Sequence, residues 1–439
     1  MNRNVLLCVS FAFLMFGFSQ TIAGQTESIP ATEQKEQGSE NKNSDNTPQT
    51  GIDPVQDSAT QGSDSKTEGS ESKSEGSDNK SEDDPAYKRF VQLGQELKRN
   101  EQLLNKLVIS MPVGFPEARK QQQQKINGVK QRNQQIYKEL LPTALESFDN
   151  FPNSKPAING YLIQHMSLQL TGKNWKQIPF NPLAAKRMYD KLTSAGVENP
   201  VLSLLGYRIN FILNDLEQSR LLLIKAAEQG RPEQAAMDNL RKNYQSWMQE
   251  MELVKKDASN DNNPRVKIET DIGDMIVELF EDEAPNTVAN FVSLVESGFY
   301  NGQTFFQANV SDIVMAGSPT NDGLGGPGYK IKCECEAENA RSHFTGYLSM
   351  YPTRKDEGGS RFLITKQPRP AFGGKITAFG RIIEGLENLY KIQIFDHKRQ
   401  GQNPNMTPTR ITQMTVIRKR EHPYVPEKVT ESSTPATGN

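Results

Sequence analysis

Cysteine and histidine are scarce in this chain, three and four residues among 439. That scarcity argues against a disulfide framework and against a cysteine–histidine metal centre, because His165, His343, His397 and His422 show no metal-ligand spacing. Cys8 sits inside an apolar leader, so Cys333 and Cys335 alone remain for the folded body. On a strand their Cα atoms would stand about 6.6 Å apart, at the edge of disulfide geometry. They are expected to be two ordinary strand residues, with a labile bridge as the alternative. Charge of one sign is lacking too. With 51 basic and 53 acidic residues the net charge is -2, which gives bulk electrostatics no reason to favour nucleic acid or an anionic membrane. A phosphate-binding loop is also missing, since no Lys-Ser or Lys-Thr pair follows the glycine-rich run Gly323–Gly328.

Apolar residues are thin overall, 35% counting alanine, tyrosine and cysteine, and the deficit is concentrated in one region. Residues 24–84 are Ser, Glu, Asp, Lys, Gln, Asn and Gly in low-complexity order, GSDSKTEGSESKSEGSDNKSED among them. Such a stretch cannot bury enough apolar area to offset its ordering entropy, so it is expected to be a disordered linker. Before it, Arg3, an apolar run from Val5 to Phe18 and the small residues around Ala23 form the pattern of a bacterial-type signal peptide over 1–23. The expected destination is export, periplasmic or secreted; a retained anchor is the alternative.

Helical periodicity opens near Pro85, with Phe90, Leu93, Leu97, Leu103, Leu104 and Leu107 on one side of a polar helix. A second polar helix is expected from Pro116 to Leu141. Further helical segments follow at Thr143–Phe148, Ala157–Leu170, Pro182–Ser194, Pro200–Asn214, Leu216–Gln229 and Pro232–Lys255. Within this 85–256 α-helical module, Leu205-Gly206, the turn at Asn214-Asp215, then Leu222, Ala226 and Pro232 suggest one tetratricopeptide-like pair. An irregular bundle is the alternative. The polar run at 257–264 reads as a linker, and 421–439 as a disordered tail.

From Val266 the period changes. Val266, Ile268, Thr270 and Ile272 alternate, then Met275, Val277 and Leu279, as in half-buried strands. After Pro285 the apolar positions become Val288, Phe291, Val292 and Val295, the stripe of an amphipathic helix stopped by Gly298. This order, continued through Gly323–Lys330, Gly346–Met350, Gly359–Thr365 and Gly373–Gly385, resembles the cyclophilin-type peptidyl-prolyl cis-trans isomerases (rotamases). The resemblance spans 265–420, roughly a third of the chain. It implies a multidomain protein in which the α-helical module is followed by a cyclophilin-like closed antiparallel β-barrel. Eight strands and two capping helices, near Asn286–Ser297 and Gly385–Ile394, are implied with it.

The chemistry so implied twists an X–Pro amide, whose resonance makes uncatalysed exchange slow. It needs an apolar pocket for the proline ring and donors that favour the twisted amide, with no nucleophile, metal or cofactor. The resemblance places the substrate-binding positions at Phe306, Ile313, Met315, Tyr351, Leu363, Phe372 and Ile376, beside Asp312, Pro352 and Ala371. Nearly all depart from the family's usual residues. The position of the family's arginine carries Gln307, while Arg361 stands where the family has glutamine. Gln307 and Arg361 are therefore the candidate catalytic pair, the guanidinium acting from the opposite wall. An unrelated surface arginine is the bland alternative for Arg361, and ordinary packing that for Tyr351, Phe306 and Phe372. Two functions follow: an exported isomerase that assists folding of secreted proteins with weak or altered activity, or a non-catalytic polypeptide-binding module using groove and helices together. Expected partners are proline-containing polypeptides and a protein partner for the helical module, with no nucleic acid and no membrane beyond the signal peptide.

Overall fold

The computed structural model describes residues 84–172, 178–396 and 407–429. The expected signal peptide, residues 24–83 of the expected linker, His397 and residues 430–439 lie outside the described residues.

The helical half comprises α1 (Pro85–Ile109), α2 (Pro116–Asn150), α3 (Pro156–Thr171), α4 (Pro182–Ser194), α5 (Pro200–Ile212), α6 (Leu216–Glu228) and α7 (Gln234–Asn260). Proline occupies the first position of α1 to α5, where its missing N–H had no partner to lose. Asn181, Asn199 and Asp215 cap α4, α5 and α6 by accepting from the backbone N–H of Ala184, Val201 and Gln218. One expected break is absent. Helix α2 runs unbroken through Pro142, because Ala144, Ser147 and Phe148 continue the face that buries Ile136 and Leu140. Gly206 on α5 has a packing reason: a Cβ there would stand 2.7 Å from the Tyr189 ring of α4.

The second half is an antiparallel sheet of β1 (Arg265–Thr270), β2 (Met275–Leu279), β3 (Gln307–Ala308), β4 (Ile313–Ala316), β5 (Tyr347–Met350), β6 (Phe362–Thr365), β7 (Ala378–Glu384), β8 (Phe395–Asp396) and β9 (Ile411–Arg418). Their order is β8-β3-β4-β6-β5-β7-β2-β1-β9. The implied closed, eight-stranded barrel is thus an open sheet with nine strands among the described residues. Among the described residues no ladder joins β8 to β9, and β8 pairs with β3. Backbone bonds from Phe305 to Thr409 (3.0 Å), Gly302 to Ile411 (2.9 Å) and Ile411 to Gln303 (2.8 Å) tie the two ends near each other.

Helix α8 (Pro285–Glu296) buries the expected stripe of Val288, Phe291, Val292 and Val295. The Phe291 ring lies 5.2, 5.5 and 5.0 Å from those of Tyr300, Phe362 and Phe379, the centre of the sheet's core. Helix α9 (Leu386–Leu389) is a single turn, shorter than the expected Gly385–Ile394, because Ile392 and Phe395 turn back into the core. The first N–H groups of α8, which lacks a capping side chain of its own, are met by Glu334: Asn286 N donates at 2.9 Å and Thr287 N at 2.8 Å. Glu334 sits between Cys333 and Cys335, which are bonded to each other. That corrects the strand reading of the two cysteines. The segment is a loop, and its turn brings the Cα atoms to 5.4 Å, inside the usual range.

The expected linker at 257–264 is corrected as well, since α7 runs to Asn260 and its last turns are held by an arginine from the loop before β5. Arg341 has a fully buried side chain. Its Nε donates to Glu250 at 2.8 Å, its two terminal nitrogens to Asp257 at 3.0 Å, and its guanidinium carbon lies 3.8 Å from the centre of the Phe280 ring. Burial alone would pull the arginine's pKa down; Glu250 and Asp257 outweigh it and raise the value instead. Tyr347 donates to the same Glu250 at 2.8 Å. Around this cluster Leu216, Leu223 and Leu240 of the helices pack on Phe280, Phe344 and Tyr347 of the sheet. Asn214 exchanges two hydrogen bonds with the backbone of Thr345, at 3.0 and 2.9 Å. The residues from Pro85 onward therefore form one unit.

The tail expected to be disordered from 421 packs as far as 429. Tyr424 is 7% exposed and donates to Glu281 at 2.8 Å, while Glu427 N and Val429 N donate to Asn286 Oδ1 and Lys330 O at 2.7 and 2.8 Å. One buried aromatic and three satisfied donors offset the cost of ordering it.

Two consequences are measurable. Arg341→Met leaves Glu250 and Asp257 buried without their cation and lowers unfolding stability by about 3–5 kcal/mol in urea titrations. Adding Glu250→Gln and Asp257→Asn recovers much of that loss; a single-variant loss within error of zero contradicts the role given to the cluster. The buried rings of His165 and His343, 8% and 2% exposed, are held neutral by desolvation, which lowers both pKa values from 6.5 to about 4. Unfolded imidazoles protonate first as pH falls, so this stability is full above pH 6.5 and is lost toward pH 4, by up to roughly 3 kcal/mol per ring. His343→Gln flattens the urea midpoint against pH in that window; an unchanged slope contradicts it.

Candidate functional site

Strand β6 lies between β4 and β5, and its register places Leu363 opposite both Met315 and Ser349. Met315 in turn faces Gln307 of β3. Side chains alternate along a strand, so two faces separate cleanly. Ala308, Val314, Leu348, Phe362 and Ile364 enter the main core. Gln307, Met315, Leu363 and Ser349 make a row on the other face. Phe306 joins that row, and Phe372 and Ile376 approach from the segment between β6 and β7.

The result is a small apolar cluster separate from the main core. Phe306, Met315 and Leu363 are buried in it, with Ile313, Phe372 and Ile376 packed against them in partial exposure. Six of the seven expected substrate-binding positions thus converge. Tyr351 is not among them: it follows β5, is 38% exposed, and has the Arg361 guanidinium 5.7 Å from its ring centre. Of the three aromatic residues among those positions, Tyr351, Phe306 and Phe372, only the last two meet.

Gln307 and Arg361 flank the cluster without meeting. Two strands and two residues separate them, about 12 Å between Cα atoms by strand geometry. Arg361 donates from Nη1 to Gly323 O at 2.7 Å and from Nη2 to Thr353 Oγ1, so part of its donor fork is spent on the glycine-rich loop. The seating depends on Gly317 at the end of β4. Its φ is +88°, and a Cβ would stand 2.1 Å from Ser360 O, the residue before Arg361.

Three polar groups near the cluster carried no sequence signal. His343 sets its ring edge-on to Phe372 at 5.7 Å, and the Ile376 backbone offers it only a marginal contact that offsets little of its desolvation. Arg369 pairs with Asp312 and donates its backbone N–H to His343 O at 2.7 Å. Lys366 is 2% exposed and donates to Asn309 O at 3.0 Å, and burial lowers its pKa to about 8. Each depends on a fold-level neighbour, and none belongs to a motif. Chemically, the site is an apolar patch with a neutral amide on one border and a partly engaged guanidinium on the other.

The family model described as cyclophilin type peptidyl-prolyl cis-trans isomerase/CLD matches residues 265–416. Peptidyl-prolyl cis-trans isomerase B of Bacillus subtilis is 46% identical over 110 residues, 25% of this chain and 76% of that protein. The peptidyl-prolyl cis-trans isomerase of Helicobacter pylori strain 26695 is 41% identical over 128 residues, 29% of this chain and 78% of that protein. A Cryptosporidium parvum cyclophilin type isomerase, solved in the presence of the dipeptide Ala-Pro, is similar at 27% identity and a TM-score of 0.30, with 35% of this chain and 98% of that one covered. With two thirds or more of these curated relatives spanned at such identity, the chain belongs to the cyclophilin-type peptidyl-prolyl cis-trans isomerase family.

Proposed function

We propose that the chain is an exported peptidyl-prolyl isomerase that acts slowly on X–Pro segments of secreted polypeptides as they fold. The observation that carries this reading is the convergence of Phe306, Met315 and Leu363 with Ile313, Phe372 and Ile376 on the outer face of β6. A pyrrolidine ring is apolar and compact, and an apolar floor of this kind shelters it from water. In this reading the open sheet works as the family's closed barrel, its last gap spanned by the bonds from 302–305 to 409–411 and one end capped by α8.

Catalysis then depends on donors aimed at the twisted amide. A neutral amide at Gln307 gives hydrogen bonds about half as strong as charge-assisted ones. Arg361 supplements it from the far border with the N–H groups not taken by Gly323 and Thr353. Loss of one well-placed donor in a preorganised site costs about a hundredfold or more in rate, which is the sense in which this enzyme is slow.

A second reading has one specific observation in its favour. The engagement of both terminal nitrogens of Arg361 suits a groove that binds prolyl segments without turnover, the helical half holding more of the polypeptide. Prolyl cis/trans exchange on a proline peptide, followed by NMR line broadening with the full chain, separates the two. The isomerase reading expects exchange above the uncatalysed rate, at least about tenfold faster in Gln307→Arg, at least about tenfold slower in Arg361→Ala, and absent in Leu363→Asp. Peptide binding with no exchange in any form contradicts it. Export is tested by the N-terminus of protein recovered outside the cytoplasm: it begins after Ala23, and an intact Met1 sinks that part.

A further inference from the structure

The hairpin of α1 and α2 ends in a feature that neither catalysis nor peptide binding uses. All buried residues of α1 lie at or before Leu97, and the first buried residue of α2 is Ile126. Everything between stands clear of the body. That free end is ordered, since Gln122 of α2 donates to Ser110 Oγ at 3.0 Å across the turn. Yet it carries three of the four most exposed large apolar residues among those described: Ile109 at 86%, Val113 at 90% and Phe115 at 70%. An apolar group this exposed at the crown of a polar hairpin gains nothing for folding and marks a contact surface.

Charge indicates the contact. Between Leu103 and Asn127 stand Lys106, Arg119, Lys120 and Lys125 against Glu117 alone, four basic less one acidic giving +3 within a chain of net charge -2. All four basic residues are exposed, and none joins an ion pair among the described residues. Lys106 precedes Ile109 by three residues and Arg119 follows Phe115 by four, so at 1.5 Å per residue the cations lie about 5–6 Å behind the apolar crown. That spacing matches the depth to which interfacial apolar groups enter a bilayer, with cations left at the headgroups. A crown of Ile, Val and Phe at the end of a hairpin, backed by cations on both helices, fits a flat anionic surface better than an extended peptide. Among the described residues no helix is long and apolar enough to cross a membrane.

We infer that the α1–α2 turn docks the protein on an anionic lipid bilayer by inserting Ile109, Val113 and Phe115, with Lys106, Arg119 and Lys120 on the lipid headgroups. This departs from the bulk-charge expectation because the positive charge is local and offset elsewhere in the chain.

The test uses the full chain floated with vesicles of phosphatidylcholine mixed with phosphatidylglycerol, or of phosphatidylcholine alone. Wild type is expected on the anionic vesicles, weakened by salt, and the double variant Val113→Asp, Phe115→Asp to bind about tenfold less or worse. Both forms carry the same N-terminal leader, so their difference reads the hairpin alone. Phe115→Trp reports directly, its fluorescence quenched by brominated lipid in the anionic vesicles, and it keeps the test decisive should the double variant fail to fold. Equal binding of wild type and double variant, no quenching, or capture of an unfolded reduced protein through Val113 and Phe115 without vesicle binding would each overturn the inference.

Discussion

A fully buried guanidinium, Arg341 between Glu250 and Asp257, decides how the two halves of the protein meet. The apolar contacts around it, Leu216, Leu223 and Leu240 on Phe280 and Phe344, are non-directional and would tolerate sliding of one half on the other. The ion cluster does not, because any shift strands a charge away from water. Its influence reaches the groove through a short covalent path. Arg341 leads to His343, whose carbonyl receives Arg369, and to Gly346 and Tyr347, whose N–H groups bond Thr365 at 2.8 and 3.1 Å. Thr365 ends β6, the strand that presents Leu363. The helical half is thus a buttress for the strand on which the groove is built.

Legibility in the sequence follows how local each determinant is. Prolines at helix starts, asparagine caps and the Val288–Val295 stripe act within a turn or two, and the elements they announce are there. The groove positions could be found because they sit at set offsets inside ordered blocks, and six of them share one cluster. Long-range pairs had no such signal. Arg341 finds its partners 91 and 84 residues earlier, so the end of α7, rich in Asp and Asn, read as a linker although Asp257 is a buried ligand of that arginine. The Cys333–Cys335 bond stands in the sequence only as the alternative reading, because strand spacing does not hold where the chain turns. Tyr424 looked like the start of a frayed tail for the same reason: its partner Glu281 is 143 residues away.

In the function proposed here the groove keeps the apolar half of the chemistry and weakens the polar half. Its floor is continuous from Phe306 to Ile376, while its donors are a neutral amide and an arginine already bonded to a loop. In the proposed function such a site is expected to bind a ring well and to reward twisting of the amide less. The hairpin crown adds a second contact at the end of α1 and α2 remote from the body, so polypeptide and membrane need not compete for one surface.

In the proposed function the cluster on the outer face of β6 receives a proline ring. Methyl-detected NMR during titration with an Ala-Pro peptide tests it most directly. Saturable shifts confined to the methyl groups of Ile313, Met315, Leu363 and Ile376, and lost in Leu363→Asp, are the predicted result. Shifts that map to other methyls, or none at saturating peptide, contradict the account.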